Sequence, residues 1–358
     1  MERARVKAAI VGTGGIAGSH MRAWEAWSDA VKPVAAVDID GERAARFAHQ
    51  HDIPRTYTDA AEMLERERPD LVHVCTPPAF HFPIIEQCLQ AGAWVLCEKP
   101  LCSSLEQLDR IATLERETGA ACASVFQWRF GSAAQRVRLL ARSGQFGESR
   151  VVLCNTTWYR DDAYYAVPWR GTWESELGGV SMGHAIHIID LMVWLMGEWS
   201  EITAVADTLE RQIEVEDVAM AIVRFENRAL CSIVNSVLSP RQETRLRLDY
   251  ERATVEVTGL YGYTNANWSI TPLEGQDGVL AGWPPDEDEP SSHAAQLGHL
   301  LAAMRSGTPP PANVADVRAT FELLTALYKS SRTGESVKRG SIASGDPYYA
   351  HIAGYEKS

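Results

Sequence analysis

The sequence predicts a two-domain α/β protein: an N-terminal doubly wound parallel sheet, then a second α/β domain built on a large, mostly antiparallel open sheet. Three observations carry this. The chain has 358 residues, more than one domain usually holds. Its first third alternates short apolar runs with helical patterns, as βαβ units do. From Arg150 onward the texture changes to longer alternating runs interrupted by one long helix. The expected domains are residues 1–125 and 126–358.

In the first domain, 6–11 reads as a strand and 16–28 as the helix after it. Residues 34–37 form the next strand and 41–51 an Ala-rich helix, with a further helix at 59–66 ending before Pro69. Leu71 to Cys75 is a β-branched and apolar strand closed by Thr76-Pro77-Pro78, because proline removes a ladder donor. A helix at 82–90 ends ahead of Gly92, the usual left-handed cap. A strand at 95–97, a helix at 105–118 and a strand at 120–126 complete the domain. In the second domain strands are expected at 151–158, 202–207, 218–225, 230–237, 244–250 and 254–258, with a hairpin turning at Asn227. Helices are expected at 182–196, 291–305 and 316–333. The acidic run Asp286-Glu287-Asp288-Glu289 reads as a solvated loop.

Composition removes several classes of function. Apolar residues make up 46% and charged residues 23% of the chain. No apolar stretch approaches the roughly 18 residues of a membrane span. A net charge of -13 opposes binding to nucleic acid, which needs a clustered basic surface. Seven cysteines are scattered without a Cys-x-x-Cys pair, so neither a metal site nor a disulfide framework is expected. The start, Met1 to Lys7, runs into a strand with no signal-peptide pattern, which predicts a cytoplasmic protein.

The turn after the first strand reads Gly12-Thr13-Gly14-Gly15-Ile16-Ala17, a Gly-x-Gly-x-x-Ala pattern between strand and helix. Small residues there let the backbone approach a pyrophosphate at a helix N-terminus, where free N–H groups and the helix dipole favour anions. Asp38 closes the second strand, 21 residues after Ala17, at the spacing of the acid that accepts from adenosine ribose hydroxyls. This predicts a Rossmann-type site for NAD, since a carboxylate repels the 2′-phosphate of NADP. Thr76, Pro77 and His81 fall at the carboxyl edge of the sheet and join the expected cofactor contacts, as do Glu98, Lys99 and Gln127.

Lys99 follows an apolar strand and precedes Pro100, which favours an extended backbone. Desolvated beside a nicotinamide, a lysine can exchange a hydroxyl proton; the plain alternative is an ion pair with a nearby acid. The segment Glu176-Leu177-Gly178-Gly179-Val180-Ser181-Met182-Gly183-His184-Ala185-Ile186-His187-Ile188-Ile189-Asp190 opens a helix that is apolar on nearly every face, so a histidine on it needs a partner. His184 and His187 are three apart and Asp190 three further, where it could orient His187.

Taken jointly, Gly12-x-Gly14-x-x-Ala17, Thr76-Pro77-Pro78 with His81, Glu98-Lys99-Pro100, and Gly178-Gly179 leading to His187 and Asp190 resemble the Gfo/Idh/MocA oxidoreductases. The resemblance covers nearly the whole chain. It implies NAD(P)-dependent oxidation or reduction of a sugar, sugar derivative or cyclitol, and a homodimer or homotetramer formed through the C-terminal sheet. Lys99 matches the family's catalytic lysine and His187 its active-site histidine. The aspartate often found four residues before that histidine is Gly183 here, which leaves His184 as a possible substitute. Tyr159, Trp169, Arg170 and Arg129, with the two histidines and Lys99, are the expected substrate contacts, because aromatic faces suit a sugar's C–H surface and arginine donates to hydroxyls or a carboxylate. The resemblance also permits a glycoside-cleaving enzyme that oxidises transiently, and a non-catalytic NAD-binding sensor remains a third reading.

Overall fold

A computed structural model describes residues 5–354. The chain divides into two compact units, one running to Val125 and including His293–Val317, the other comprising Phe126–Ser292 and the chain from Arg318.

The first unit alternates strand and helix: β1 Val6–Val11, α1 Ala17–Ala26, β2 Val31–Val37, α2 Gly41–Gln50, β3 Thr56–Tyr57, α3 Ala60–Glu67, β4 Leu71–Val74, α4 His81–Gln90, β5 Trp94–Cys97, α5 Leu105–Thr118 and β6 Cys122–Ser124. The six strands form one parallel sheet in the order β3-β2-β1-β4-β5-β6. Strand order reverses at β1, so the crevice between the carboxyl ends of β1 and β4 is where an open α/β sheet binds ligands. Helices start where short polar side chains accept orphan N–H groups: Asp40 caps α2, Asp59 caps α3 and Ser104 caps α5.

The second unit follows with α6 Ser132–Arg142, β7 Ser149–Tyr159, α7 Asp162–Tyr165, α8 Ile186–Met196, β8 Trp199–Asp207, β9 Val218–Phe225, β10 Leu230–Ser236, β11 Leu238–Tyr250, β12 Ala253–Gly259 and β13 Trp268–Pro272. After α9 His293–Ser306 come α10 Val314–Thr333, β14 Val337–Lys338 and α11 Pro347–Ala350. Its eight-stranded sheet has the order β13-β12-β11-β7-β10-β9-β8-β14, antiparallel except for the β7–β10 pair. One face is buried, with Val152, Cys154, Ala221, Val223, Ile233, Leu246 and Leu248 turned inward, and α8, apolar except for His187 and Asp190, is buried along nearly its whole length.

Two expectations need correction. Helix α9 was expected in the second domain but belongs to the first unit. Leu297, Leu300 and Leu301 join Met21 and Trp24 in one core, and Trp27 Nε1 donates to the Ala294 carbonyl at 2.8 Å. The helix expected at 182–196 is not uniform either: Ser181–Ala185 is a π-turn and only Ile186–Met196 is α-helical.

Candidate functional site

On the first unit, the glycine turn has the shape its pattern demands. Gly12 has φ +92°, and a Cβ there would stand 2.6 Å from the Cys75 carbonyl carbon, so only glycine lets β1 pass β4. Gly14 and Gly15 are exposed, with open space where a Cβ would be, and α1 starts just beyond without a side-chain cap. Ile16 is exposed and Ala17 buried. This is an open helix N-terminus of the kind that receives phosphate. At the next strand end, Asp38 Oδ2 accepts from Thr13 N at 3.0 Å and Thr13 Oγ1 at 2.8 Å, and Oδ1 accepts from Asp40 N at 3.0 Å. The carboxylate is thereby fixed at the carboxyl edge of β2. After β4, the buried Thr76 hydroxyl has no partner among the described residues. A buried orphan hydroxyl at the switch-point crevice, with an uncapped helix and an anchored acid, fits a dinucleotide.

His81 has a different position from the one expected. It is fully buried, its ring lying between the Pro100 carbonyl at 2.7 Å and the Thr76 carbonyl at 2.8 Å. Burial lowers its pKa. Its ring therefore braces the loops after β4 and β5; Pro77 leads into the short turn Pro78–Phe80.

Glu98 is likewise enclosed. His20 Nε2 and His293 Nε2 each lie 3.0 Å from its Oε1, and Lys99 N donates to Oε2 at 3.3 Å. Behind His20, the Nδ1 atoms of His20 and His73 are 2.7 Å apart, and Trp24 Nε1 donates to His73 Nε2 at 3.1 Å. These contacts fix the ring protons of His20 and His73. An indole N–H only donates, so His73 Nε2 accepts and its proton sits on Nδ1. His20 Nδ1 must then accept, and His20 Nε2–H donates to Glu98. Burial lowers the pKa of His20 and of His73, holding both rings neutral. Burial alone would raise the Glu98 carboxyl; the donors from His20 and His293 outweigh it and hold it well below the usual range. The ligand atoms of His20, Glu98 and His293 lie within 4.8 Å of one another. A divalent ion among them would need the His20 Nε2 lone pair, which the chain from Trp24 assigns to a proton. Glu98, expected to touch the cofactor, thus anchors the strand end that carries the half-buried Lys99.

On the second unit, the π-turn is held by Glu216, whose carboxylate accepts from Gly179 N at 2.8 Å, Ser181 N at 2.9 Å and Tyr328 Oη at 3.1 Å. A Cβ on Gly179 would lie 1.8 Å from the Glu216 carbonyl oxygen, so this approach requires glycine. His184, in the turn, accepts at Nε2 from Arg160 Nε at 3.1 Å and meets Trp158 edge-on at 5.0 Å. That lone pair is occupied, so the ring takes no proton there while the contact holds. His187, one turn on, is half-buried, with its ring 6.3 Å from Phe126. Gly183 lacks a carboxylate of its own, but Glu176 Oε1 is 3.5 Å from where its Cβ would be. The buried Glu176 also accepts from Arg170 Nη1 at 3.1 Å and Gly171 N at 2.6 Å. Glu176 opens the candidate segment in the sequence, but nothing in its spacing to His187 assigns it a role.

Arg170 stacks on Tyr164 and Trp169, with its guanidinium carbon 3.9 and 4.3 Å from the ring centres. Tyr159 is exposed. Arg129, expected to contact substrate, is almost wholly buried and pairs with Asp190, Nε to Oδ2 at 2.6 Å, while Thr320 Oγ1 donates to Asp190 at 3.0 Å. The pair explains how a carboxylate is tolerated on the apolar α8 and makes Arg129 a structural brace. The Gln127 amide oxygen is buried and unpartnered among the described residues.

A parallel sheet with an open phosphate-binding turn at its switch point and a lysine at the same edge defines the class: a dinucleotide-binding oxidoreductase. Residues 6–126 match the Gfo/Idh/MocA oxidoreductase family, NAD-binding Rossmann fold, and residues 134–259 match the C-terminal domain of that family. The chain belongs to the Gfo/Idh/MocA oxidoreductases. It is 27% identical to D-apiose dehydrogenase of Paraburkholderia graminis over 96% of this chain and 92% of the relative. It is 24% identical to myo-inositol 2-dehydrogenase of Thermotoga maritima over 92% of this chain and 97% of the relative. The WlbA dehydrogenase of Bordetella pertussis, solved in complex with NADH and UDP-GlcNAcA, superposes with a TM-score of 0.85 at 26% identity, covering 96% of this chain and all of that one.

Proposed function

We propose that the protein is an NAD-dependent dehydrogenase that moves a hydride between nicotinamide and a secondary hydroxyl or keto group of a sugar, sugar derivative or cyclitol. The observation that carries the reading is that the open glycine turn, the orphan Thr76 hydroxyl and Lys99 share one edge of the parallel sheet. Relatives named as apiose and inositol dehydrogenases support the substrate class.

The α1 N-terminus and the N–H groups of Gly14 and Gly15 would hold the pyrophosphate, and Asp38 the adenosine ribose. The fixed Asp38 carboxylate supports NAD over NADP by repelling a 2′-phosphate. When bound, NAD supplies the hydride acceptor. The chain supplies the proton chemistry: Lys99 takes the hydroxyl proton, its backbone set by the ionised Glu98, and His187 orients the reacting hydroxyl. Trp169, Arg170 and Tyr159 present ring faces and donors to the carbohydrate.

Val151, Val205, Met220, Ile222 and Leu230 lie exposed on the outer face of the second unit's sheet, which supports a homodimer or homotetramer assembled there. No helix among the described residues is long and apolar enough to cross a membrane. The seven cysteines, free and buried, support a reducing compartment such as the cytoplasm.

The test is Lys99→Ala, assayed with NAD over a sugar and cyclitol panel. General acid–base catalysis accounts for roughly a hundred- to ten-thousand-fold in rate, so kcat should fall by that order while NAD binding persists. Retention of most of the wild-type rate would remove Lys99 from the chemistry.

A further inference from the structure

Arg160, at the end of β7, is the cation of the second unit's π-turn region that has no acid of its own. Its Nε donates to His184 Nε2 at 3.1 Å, its Nη1 to the Tyr159 carbonyl at 2.9 Å and its Nη2 to Tyr261 Oη at 2.7 Å. All three acceptors are neutral. No carboxylate among the described residues lies within salt-bridge distance of it. The neighbouring arginines differ: Arg170 is paired with Glu176 and Arg211 with Asp162.

The surroundings hold the guanidinium in place without neutralising it. Its carbon lies 4.7 Å from the Trp158 ring centre, 5.1 Å from Tyr164 and 5.9 Å from Tyr261. Ring faces orient a cation and take it partly out of water, and they leave its charge intact. His184 cannot share that charge, because its Nε2 is already the acceptor. A guanidinium has five N–H groups; three are committed to these acceptors and a further one serves the Tyr164 hydroxyl, which leaves one N–H on a terminal nitrogen for a ligand. The way in is open, since Tyr261 is 63% and Tyr159 44% exposed. A half-buried, un-neutralised positive charge with a donor to spare beside the exposed Tyr261 and Tyr159 rings is matched by a monoanion, which a guanidinium binds through charge-assisted hydrogen bonding.

We propose that Arg160 forms a carboxylate subsite and that the substrate is an acidic carbohydrate, its carboxylate held by Arg160 while the sugar ring lies on the exposed Tyr261. The subsite rests on the dehydrogenase reading for its link to catalysis, and one net positive charge favours a carboxylate over a doubly charged phosphate.

The experiment compares matched pairs, D-glucose with D-glucuronate and D-galactose with D-galacturonate, together with D-glucose 6-phosphate. NAD-linked turnover is measured, and binding is measured by calorimetry on the protein loaded with NADH. Wild type should favour the carboxylated member by about tenfold or more in KM or Kd, the weight of a charge-assisted pair. Arg160→Met should reduce that preference by a similar factor beyond any loss on the neutral twin, and Arg160→Lys, which keeps the charge, should retain part of it. Equal losses on both members of a pair, or no wild-type preference in turnover or binding, overturns the subsite. Preference for the phosphate over both uronates overturns the carboxylate assignment. Silence in turnover over the whole panel counts against the dehydrogenase reading instead, and the subsite is then decided by calorimetry: uronate binding lost in Arg160→Met but partly kept in Arg160→Lys upholds it, and binding indifferent to both overturns it. Should Arg160→Met fail to fold, the Lys variant alone decides, since a geometric fork predicts a weakened preference and a purely structural arginine an unchanged one.

Discussion

Lys99 follows a set of buried side chains whose tendency to take up a proton differs between the folded and the unfolded chain. His20 and His73 are neutral when folded, their pKa values lowered by burial, whereas in the unfolded chain each titrates near 6.5. Below about pH 6.5 the unfolded state therefore binds more protons. Their contribution to stability is complete above that pH and is lost as the pH falls. Glu98, also lowered, acts in the same direction at lower pH, below the unfolded carboxyl range. Thermal unfolding followed between about pH 8 and pH 5 should show Tm dropping toward acid, with a shallower slope in His73→Phe, which has one buried ring fewer to protonate. An equal slope in the variant would mean that the His73 ring is already charged in the native protein. At this scale the sequence was partly legible. Gly12, Asp38 and Lys99 stand where pattern and spacing put them. Glu98, His81, Arg129 and Asp190 were read as site residues because they lie beside the motifs, yet their partners, His293, the Pro100 carbonyl and Thr320 among them, come from distant parts of the chain and have no spacing rule.

Among the elements, α9 shows most clearly where pattern reading stops. Its helical period is visible in the sequence, but nothing local says that its apolar side returns to α1. The contact is close: a Cβ on Gly298 would stand 2.4 Å from Trp27 Cζ2. Gly298→Ala should consequently destabilise the first unit by about 1–3 kcal/mol, the usual cost of overpacking, despite the better helix propensity of alanine. Denaturant unfolding measures this, and a stabilised variant would show that α1 and α9 can move apart freely. The two-residue strands β3 and β14 escaped notice because so few residues cannot display a period. The π-turn escaped because the apolar pattern of 182–196 suits either winding, and only the Glu216 carboxylate beneath Gly179 and Ser181 decides it.

For the molecule as a whole, the alternation of strand and helix and the later run of long strands were enough to predict both sheets. The proposed assembly rests on what the second sheet leaves uncovered. In the ladder Val205 is opposite Met220 and Val151 opposite Leu230, and these exposed apolar side chains lie on the same side of the sheet. Ile222→Arg, placed on this face, should shift the protein to smaller species in sedimentation velocity while leaving its circular dichroism unchanged. An unchanged sedimentation profile would locate the contact elsewhere.

The hydrogen bond from His293 to Glu98 spans 195 residues of sequence. On the ribosome, the strand that carries Lys99 is made long before the helix that completes its surroundings. Until α9 emerges, Trp27 has no roof and Glu98 lacks one of its two histidine donors. The nucleotide-binding unit is therefore finished only after most of the second unit has been synthesised. A gene truncated after the first βαβ array would encode a sheet without its closing helix, and for this chain the order of synthesis makes the two units mature together.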